Sequence, residues 1–560
     1  MQKVLTAEQM REVDRLTTEK YGIPSILLME NAAHAAARVI TEKLGGSVAG
    51  KTFLILCGKG NNGGDGAALA RVLWTLGADV QTILFGKIED TKNEARTNFE
   101  IYDSIPNKSD EIPFELPETE DFFDAVQNIL IFLRITNVDC IVDGLFGTGL
   151  SKPLNEKVCS ILEFFSDIKF NDLPQKPLFI SLDIPSGLFA DTNKVYDAHF
   201  FADLTVTFTA PKLANVFPPA SNFNGELFVA DIGSSQELID NSPSQIFVAE
   251  KQDAQNWLHK TRVKTDSYKK TRGTCLIVAG SKSYTGAAVL AANACFAAGA
   301  GMVSVGVPES IREIIAAKVS NEIITKSFAE TVDGAFSEDA AKDVLRASEK
   351  LNVLAVGCGL TSNEKSTRKF VREVVENRKT PIVIDADGLN VLAPFDLRGS
   401  DDLPIILTPH IGEFQRLLGT TNEIENCIET ARQFAQKHNV ILLLKGERSI
   451  VAAPDGTIVI NPTGNPGISR AGSGDTLTGI IAGFLAQTFA VKKDEVSETN
   501  MQTAFQTVAA ALFISGLAGD VAAEKFGQRL MTAGDIRDCI GEALNLIDDR
   551  EKSSSARMKN

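Results

Sequence analysis

Short runs of β-branched and aliphatic residues alternate along this chain with longer segments of helical periodicity. In the first half the strand-like runs are Phe53–Cys57, Val80–Phe85, Cys140–Val142, Leu178–Leu182 and Leu204–Phe208. A second series begins at Thr274–Val278 and continues through Met302–Val307, Val353–Val356, Pro381–Ile384, Ile405–Leu407 and Val440–Leu444. Strands separated by helix-length segments predict parallel sheets with helices on both faces, so the fold class is α/β. Between the two series, from Gly233 to Lys270, the texture turns polar and rich in Lys and Ser. That change divides the chain into a first domain over 1–235, a linker over 236–270 and a second domain over 271–548. A polar tail covers 549–560. A capped helix is expected from near Thr6, a helix over Ala504–Leu517, and a surface loop over Asn107–Asp121.

Composition narrows the function. A chain of 560 residues exceeds what one core usually holds. The net charge of -16 supplies no basic surface for a nucleic-acid partner. No apolar run is expected to reach membrane-spanning length and the N-terminus has no signal-peptide core, so a cytoplasmic protein is expected. Eight cysteines lie scattered without C-x-x-C spacing, as buried small hydrophobes rather than disulfides or metal ligands. Five histidines in no ligand spacing argue against zinc.

The candidate chemistry sits at strand ends. Gly45–Thr52 matches the P-loop letter for letter, but it precedes a strand instead of following one, so it reads as a turn. Gly58-Lys59-Gly60-Asn61-Asn62-Gly63 follows a strand and leads into a helix over Ala67–Leu76, as a phosphate-binding turn should. Its amides and Asp65 suggest polar recognition or a monovalent cation beyond phosphate cradling. Cys140–Val142 leads to Asp143, and Leu178–Leu182 leads to Asp183. Ligands of parallel sheets bind beyond the carboxyl ends of the strands, so Asp65, Asp143 and Asp183 should converge on one crevice. Turn capping is the plainer alternative for each.

The second domain is organised around Asn461–Gly479, NPTGNPGISRAGSGDTLTG. Gly464, Gly467, Gly472 and Gly474 leave a backbone able to close on an anion, and the helix that follows adds its positive dipole end. Asp475 in that first turn suits a base acting on an alcohol beside a phosphate. A simple helix-dipole partner is the bland alternative.

These residues carry a family resemblance. NNGGDG, DGLFGTGL and SLDIPSGL, after the helix ending in Leu28–Ala33, resemble the NAD(P)H-hydrate epimerase domain, which is Rossmann-like and three-layered. VAGSKSYTGAA, DADGLN, LTPHIGEF, LLLKGERS and the glycine-rich stretch resemble the ribokinase-like NAD(P)H-hydrate dehydratase domain. Fused in this order, they look like the bifunctional NAD(P)H-hydrate repair enzymes. The resemblance implies that the first domain interconverts the R and S hydrates, NADHX and NADPHX. The second then dehydrates the S form with ADP or ATP, phosphorylating its hydroxyl and expelling phosphate.

The resemblance further implies that Asn61, Asn62, Gly63, Gly64 and Asp65, with Gly147, Thr148, Gly149, Leu150, Ser151, Lys152 and Pro153, contact the hydrate. Asp183 would be the acid/base, and Asn62, Asp143 and Ser186 would hold potassium. In the second domain Lys445, Gly446, Glu447, Arg448, Ser449 and Gly474 would bind the nucleotide with magnesium. Ala287, Gly359, His410 and Asp475 would face the hydrate. Asp385 and Asp387 would orient substrate or magnesium-bound water, or else cap a turn. Arg470 would touch phosphate or solvent. Cys358 departs from the family, which often has proline there. Small molecules are the expected partners, with no nucleic acid or membrane, and a homo-oligomer is expected. A vitamin kinase fused to a non-catalytic Rossmann-like module is the alternative.

Overall fold

The computed structural model describes residues 1–105, 114–116, 129, 132–133, 136–170, 176–196, 198–491 and 498–548. The chain forms two compact units, one of residues 3–245 and one of 1–2 with 246–560. The loop expected over 107–121 lies outside the described residues apart from 114–116, as does the tail over 549–560.

The first unit holds a six-stranded, wholly parallel sheet in the order Asp79–Leu84, Thr52–Cys57, Cys140–Gly144, Leu178–Leu182, Leu204–Phe208, Glu226–Ala230. Side chains alternate across each strand, so one strand feeds two cores. Phe53, Ile55 and Cys57 pack with helices Ser25–Lys43 and Asn61–Thr75. Leu54 and Leu56 pack on the other face with Ile161 and Phe165 of helix Glu156–Phe170. Register places Cys57 beside Gly144 and Asp143 beside Ser181. The loops opening at Gly58, Leu145 and Asp183 therefore leave one edge of the sheet together. The N-terminal helix Ala7–Tyr21 starts at Thr6 with a reciprocal box: Gln9 N–H donates to Thr6 Oγ1 at 3.2 Å and Thr6 N–H to Gln9 Oε1 at 3.0 Å.

The second unit is built on a larger, mixed sheet. From Ile441–Leu444 through Ile405–Leu407, Ile382–Ile384, Val353–Val356, Thr274–Val278 and Met302–Pro308 to Ile324–Phe328 every pairing is parallel. On the other side Ile450–Ala452 and Ile458–Ile460 add antiparallel pairings, and Ile246–Val248 closes the series in parallel. Helices Thr285–Ala297 and Ser473–Val491 cross at very close range. A Cβ on Gly479 would lie 2.1 Å from the Ala291 carbonyl oxygen, and one on Gly483 would lie 2.7 Å from that of Cys295. Only glycine permits that approach, and it fixes where the helix carrying Asp475 begins.

The unit boundary falls at Gln245/Ile246, inside the stretch 236–270 that was expected to link the domains. That stretch carries helix Gln236–Asp240, strand Ile246–Val248 and helix Lys251–Lys260, with Trp257 stacked on Phe484 at 4.0 Å. Polar exposed faces masked these short elements. Helix Asn500–Phe526 is long and apolar enough to cross a bilayer by length and composition, against the expectation that no run is. It is a core helix: 78% of its apolar window is buried within the protein. The eight cysteines are all free, as expected.

Candidate active sites

In the first unit the loops at the carboxyl edge enclose a cavity of about 610 Å³. Asn61, Asn62, Asp65, Gly147, Thr148, Gly149, Leu150 and Asp183 line it. Asp183 has a left-handed backbone, φ 65°, and follows directly on a strand. Its Oδ1 accepts from Lys212 Nζ at 2.5 Å and Thr207 Oγ1 at 3.2 Å, and its Oδ2 from the Thr148 N–H at 3.0 Å. Lys212 is 1% exposed and also donates to Thr207 Oγ1 and the Phe208 carbonyl. Burial, with the Asp183 and Asp14 charges adding to it, raises the Asp65 carboxyl well above the usual range, against the pull of Lys212.

Asp143 lies beneath this floor, fully buried. Its oxygens accept from Ser186 Oγ at 2.5 Å, Ser186 N–H at 2.8 Å, Ser181 Oγ at 2.9 Å and Leu145 N–H at 3.2 Å. Burial pushes its carboxyl to about 6, and these hydrogen bonds hold it from rising further. Asn62 keeps both amide atoms buried and without a partner among the described residues, which is costly unless something binds there.

Not every anticipated residue reaches the cavity. Gly63 and Gly64 are buried away from it, at contacts that only glycine allows: a Cβ would fall 1.8 Å from the Gly58 carbonyl oxygen and 2.7 Å from the Ala95 Cα, respectively. They let the helix start pack on the strand end. Ser151, Lys152 and Pro153 are exposed beyond the rim.

In the second unit Asp475 stands in the first turn of Ser473–Val491, at the carboxyl edge of the parallel strands. Asp385, 2% exposed after its strand, accepts from Lys445 Nζ at 2.8 Å, from Thr478 Oγ1 at 2.8 Å and from the Ala386 N–H at 2.9 Å. Lys445 Nζ also lies 3.9 Å from Glu413. Burial alone would lower the Lys445 ammonium, but Asp385 and Glu413 outweigh it and raise it. Burial lifts the Asp475 carboxyl to about 6; a hydrogen bond from the Cys358 thiol opposes the rise and the Asp385 charge adds to it.

Nothing among the described residues accepts from the N–H groups of Gly474 and Asp475, and Ser473 Oγ is buried without a partner. These groups sit at a positive helix end, the arrangement that suits an anion. The wider cradle does not form. The Gly464 N–H is taken by Asp520 at 2.9 Å and that of Gly467 by Asn465 at 3.0 Å, while Gly472 packs against Leu290.

The remaining residues divide. Ala287 and Gly359 meet, since a Cβ on Gly359 would lie 2.9 Å from that of Ala287. His410 caps helix Ile411–Leu418, Nδ1 accepting from Gly412 and Glu413 N–H groups, while its exposed Nε2 edge stays beside Glu413. Gly446 and Ser449 close a turn after Lys445, in which Glu447 is exposed and Arg448 is tied to the Pro462 carbonyl. Asp387 caps the Thr361 N–H at 2.9 Å. Arg470 donates to the Leu530 and Met531 carbonyls, so it holds the loop shut.

Comparison with known proteins finds a family match in each unit. The family model described as NAD(P)H-hydrate dehydratase matches residues 275–542, and that described as YjeF-related protein N-terminus matches 25–214. The bifunctional NAD(P)H-hydrate repair enzyme Nnr of Moorella thermoacetica is 39% identical over 98% of this chain and 97% of its own. The chain belongs to the bifunctional NAD(P)H-hydrate repair enzyme family. The Nnr of Thermofilum pendens is 31% identical over 97% of each chain. The solved ADP/ATP-dependent NAD(P)H-hydrate dehydratase of Bacillus subtilis, co-crystallised with ATP/Mg2+ and soaked with CoA, is 27% identical. It covers 52% of this chain and 97% of its own, with a TM-score of 0.43.

For this member of the repair-enzyme family, sequence reading missed Lys212, Asp14, Glu413 and Thr478. Lys212 had one visible signal: a lysine inside the apolar run Val206–Phe217, just past a strand.

Proposed function

We propose that the chain repairs hydrated reduced nicotinamide cofactors in two steps, one in each unit. The R and S hydrates of NADH and NADPH are interconverted in the first unit, and the S form is dehydrated in the second with ADP or ATP as co-substrate. The reading is carried by one observation: along a chain matched end to end by repair enzymes, each unit brings a buried Asp to a strand-edge site with a lysine close by.

In the first unit Asn61, Asn62, Asp65 and Gly147–Leu150 would hold the hydrate, with Asp183 as acid/base. Potassium fits the oxygen donors of Asn62, Asp143 and Ser186, because the Asn62 amide is otherwise orphaned. Asp143 and Ser186 already bond each other, so the ion would share their lone pairs.

In the second unit Lys445, the Gly446–Ser449 turn and the free Gly474 N–H would take the nucleotide phosphates. Ala287, Gly359 and His410 would face the hydrate. Asp475 would draw the proton from the hydrate's hydroxyl as a phosphoryl group is transferred to its oxygen; phosphate then leaves with the carbon–oxygen bonding pair, the neighbouring ring carbon gives up a proton to the leaving phosphate or solvent, and the ring double bond returns. Magnesium would arrive on the nucleotide, for which few protein ligands suffice. Asp385 is engaged by Lys445, Thr478 and Ala386, and no cluster of three His, Cys, Asp or Glu forms among the described residues. The enzyme would work in the cytoplasm on these small molecules.

The test is product stoichiometry. Inorganic phosphate should form in step with reduced cofactor, one for one. Accumulation of a stable phosphorylated alcohol instead would make the second unit a kinase.

A further inference from the structure

The first-unit cavity contains a carboxyl with no hydrogen-bond partner among the described residues. Asp14, on helix Ala7–Tyr21, lines the cavity with Asp65, Asp183 and Lys212. Its Oδ1 is buried, and its side chain has no hydrogen-bond partner among the described residues. Leaving such an oxygen unpaired costs stability, so a structural aspartate would have found a donor. Donors are close by. Arg15, the next residue, turns outward to Glu12 and Glu19, and Lys212 is committed to Asp183, Thr207 and the Phe208 carbonyl. Asp183 has the opposite character, with both oxygens bonded and a buried ammonium at 2.5 Å.

We propose that Asp14 is a second catalytic proton-transfer group of this cavity, partnering Asp183 in the interconversion of the two hydrates. The inference rests on the epimerase reading of the first unit. Inversion of a hydroxyl-bearing ring carbon next to nitrogen requires one group to help the hydroxyl leave and another to receive a proton on the way back. Asp14 gives its proton to the departing hydroxyl. The carbon–oxygen bond breaks, water leaves, and the ring nitrogen's lone pair closes a C=N bond. A water then adds to the other face, its oxygen forming the new carbon–oxygen bond and its proton passing to Asp183. The C=N pair returns to nitrogen. One turnover moves a proton between two carboxyls, and exchange with solvent resets them.

The surroundings agree with Asp14 as the donor. Burial lifts its carboxyl to about 6; Lys212 pulls it down and Asp183 pushes it up. Arg11 on the same helix, and Lys59, Asp65 and Glu94 elsewhere in the lining, are the other charged groups of the cavity. A donor of this kind works like a carboxylic acid held near neutrality and fails once it ionises.

The experiment uses the full chain and the purified S hydrate of NADH without nucleotide, with the epimers separated by chromatography. Asp14→Asn, which keeps the shape of the protonated carboxyl, should lower kcat for epimerisation on the order of a hundredfold with little change in KM. It should also remove the loss of rate that the unaltered protein shows as pH rises through the donor's range. Asp14→Glu should restore part of the rate and the pH limb, and in isotopically labelled water each inversion should place solvent oxygen on the product. Denaturant unfolding of the first unit, followed by circular dichroism, reports on folding in each variant. An Asp14→Asn protein with an unchanged rate and pH profile, or with only KM altered, would overturn the assignment. Inversion without oxygen exchange would overturn the step. Absence of epimerisation in the unaltered chain would instead remove the epimerase reading itself, and this assignment with it.

Discussion

Asp183 and Asp475 both stand where an element ends, yet their neighbours hold them differently. Asp183 is clamped by a buried lysine, a threonine hydroxyl and a backbone N–H. Removing one member of such a buried pair leaves the other charge uncompensated. Lys212→Met should therefore destabilise the first unit by about 3–5 kcal/mol at neutral pH, read by denaturant unfolding. Adding Asp183→Asn should recover part of that loss; a further loss would contradict the pairing. Asp475 is held by burial, with a carboxyl raised to about 6. Its native pKa lies above the unfolded value of 3.8, so the folded unit loses stability as pH rises between the two. Asp475→Asn should then melt higher than the unaltered protein above pH about 7, with the gain fading as pH falls to about 4. The same change should lower dehydration on the order of a hundredfold or more while leaving epimerisation intact. At this scale the sequence was most legible at element ends: Asp143 and Asp183 at strand ends and Asp475 at a helix start read as candidate site residues, while Asp385 stayed open between a site role and turn capping. Lys212 was not legible, because a lysine in an apolar run carries no sign of the carboxylate that permits its burial.

Glycine-rich stretches look alike in sequence but serve two purposes in the elements. Gly474 leaves an N–H free beside Lys445, its missing Cβ 3.5 Å from Nζ. Gly63, Gly479 and Gly483 serve close packing of helices against strands and each other. Motif spacing cannot tell these apart, since both need an absent Cβ; only the neighbour across the contact decides. Gly479→Ala forces a methyl to within 2.1 Å of a backbone carbonyl and must spread the two helices. It should cost about 1–3 kcal/mol in unfolding free energy and weaken dehydration by shifting Asp475. Unchanged stability and rate would contradict the packing argument. The same limit explains the missed strands. Buried parallel strands such as Leu178–Leu182 announce themselves, whereas Glu226–Ala230 and Ile324–Phe328 lie at sheet edges and mix polar with apolar positions.

Over the whole molecule, the two units have separate cores and each described site lies within one of them. Among the described residues neither site draws on the other unit, and epimers released from the first would reach the second through solution. Asp183→Asn and Asp475→Asn proteins, each unable to complete repair, should therefore do so when mixed; failure of the mixture would mean that the hydrate passes between units of one molecule. The fusion was legible in the sequence from the order of motifs, but its boundary was not, because Ile246–Val248 joins a distant strand that no local pattern reveals. The most direct test of the account is the near-ultraviolet absorbance of NADH regained from mixed hydrate epimers, with ADP and ATP in separate reactions. Recovery of the whole hydrate, beyond its S share, is the predicted result with at least one nucleotide. Recovery that stops at the S share would contradict epimerisation in the first unit, and no recovery with either nucleotide would contradict the repair function.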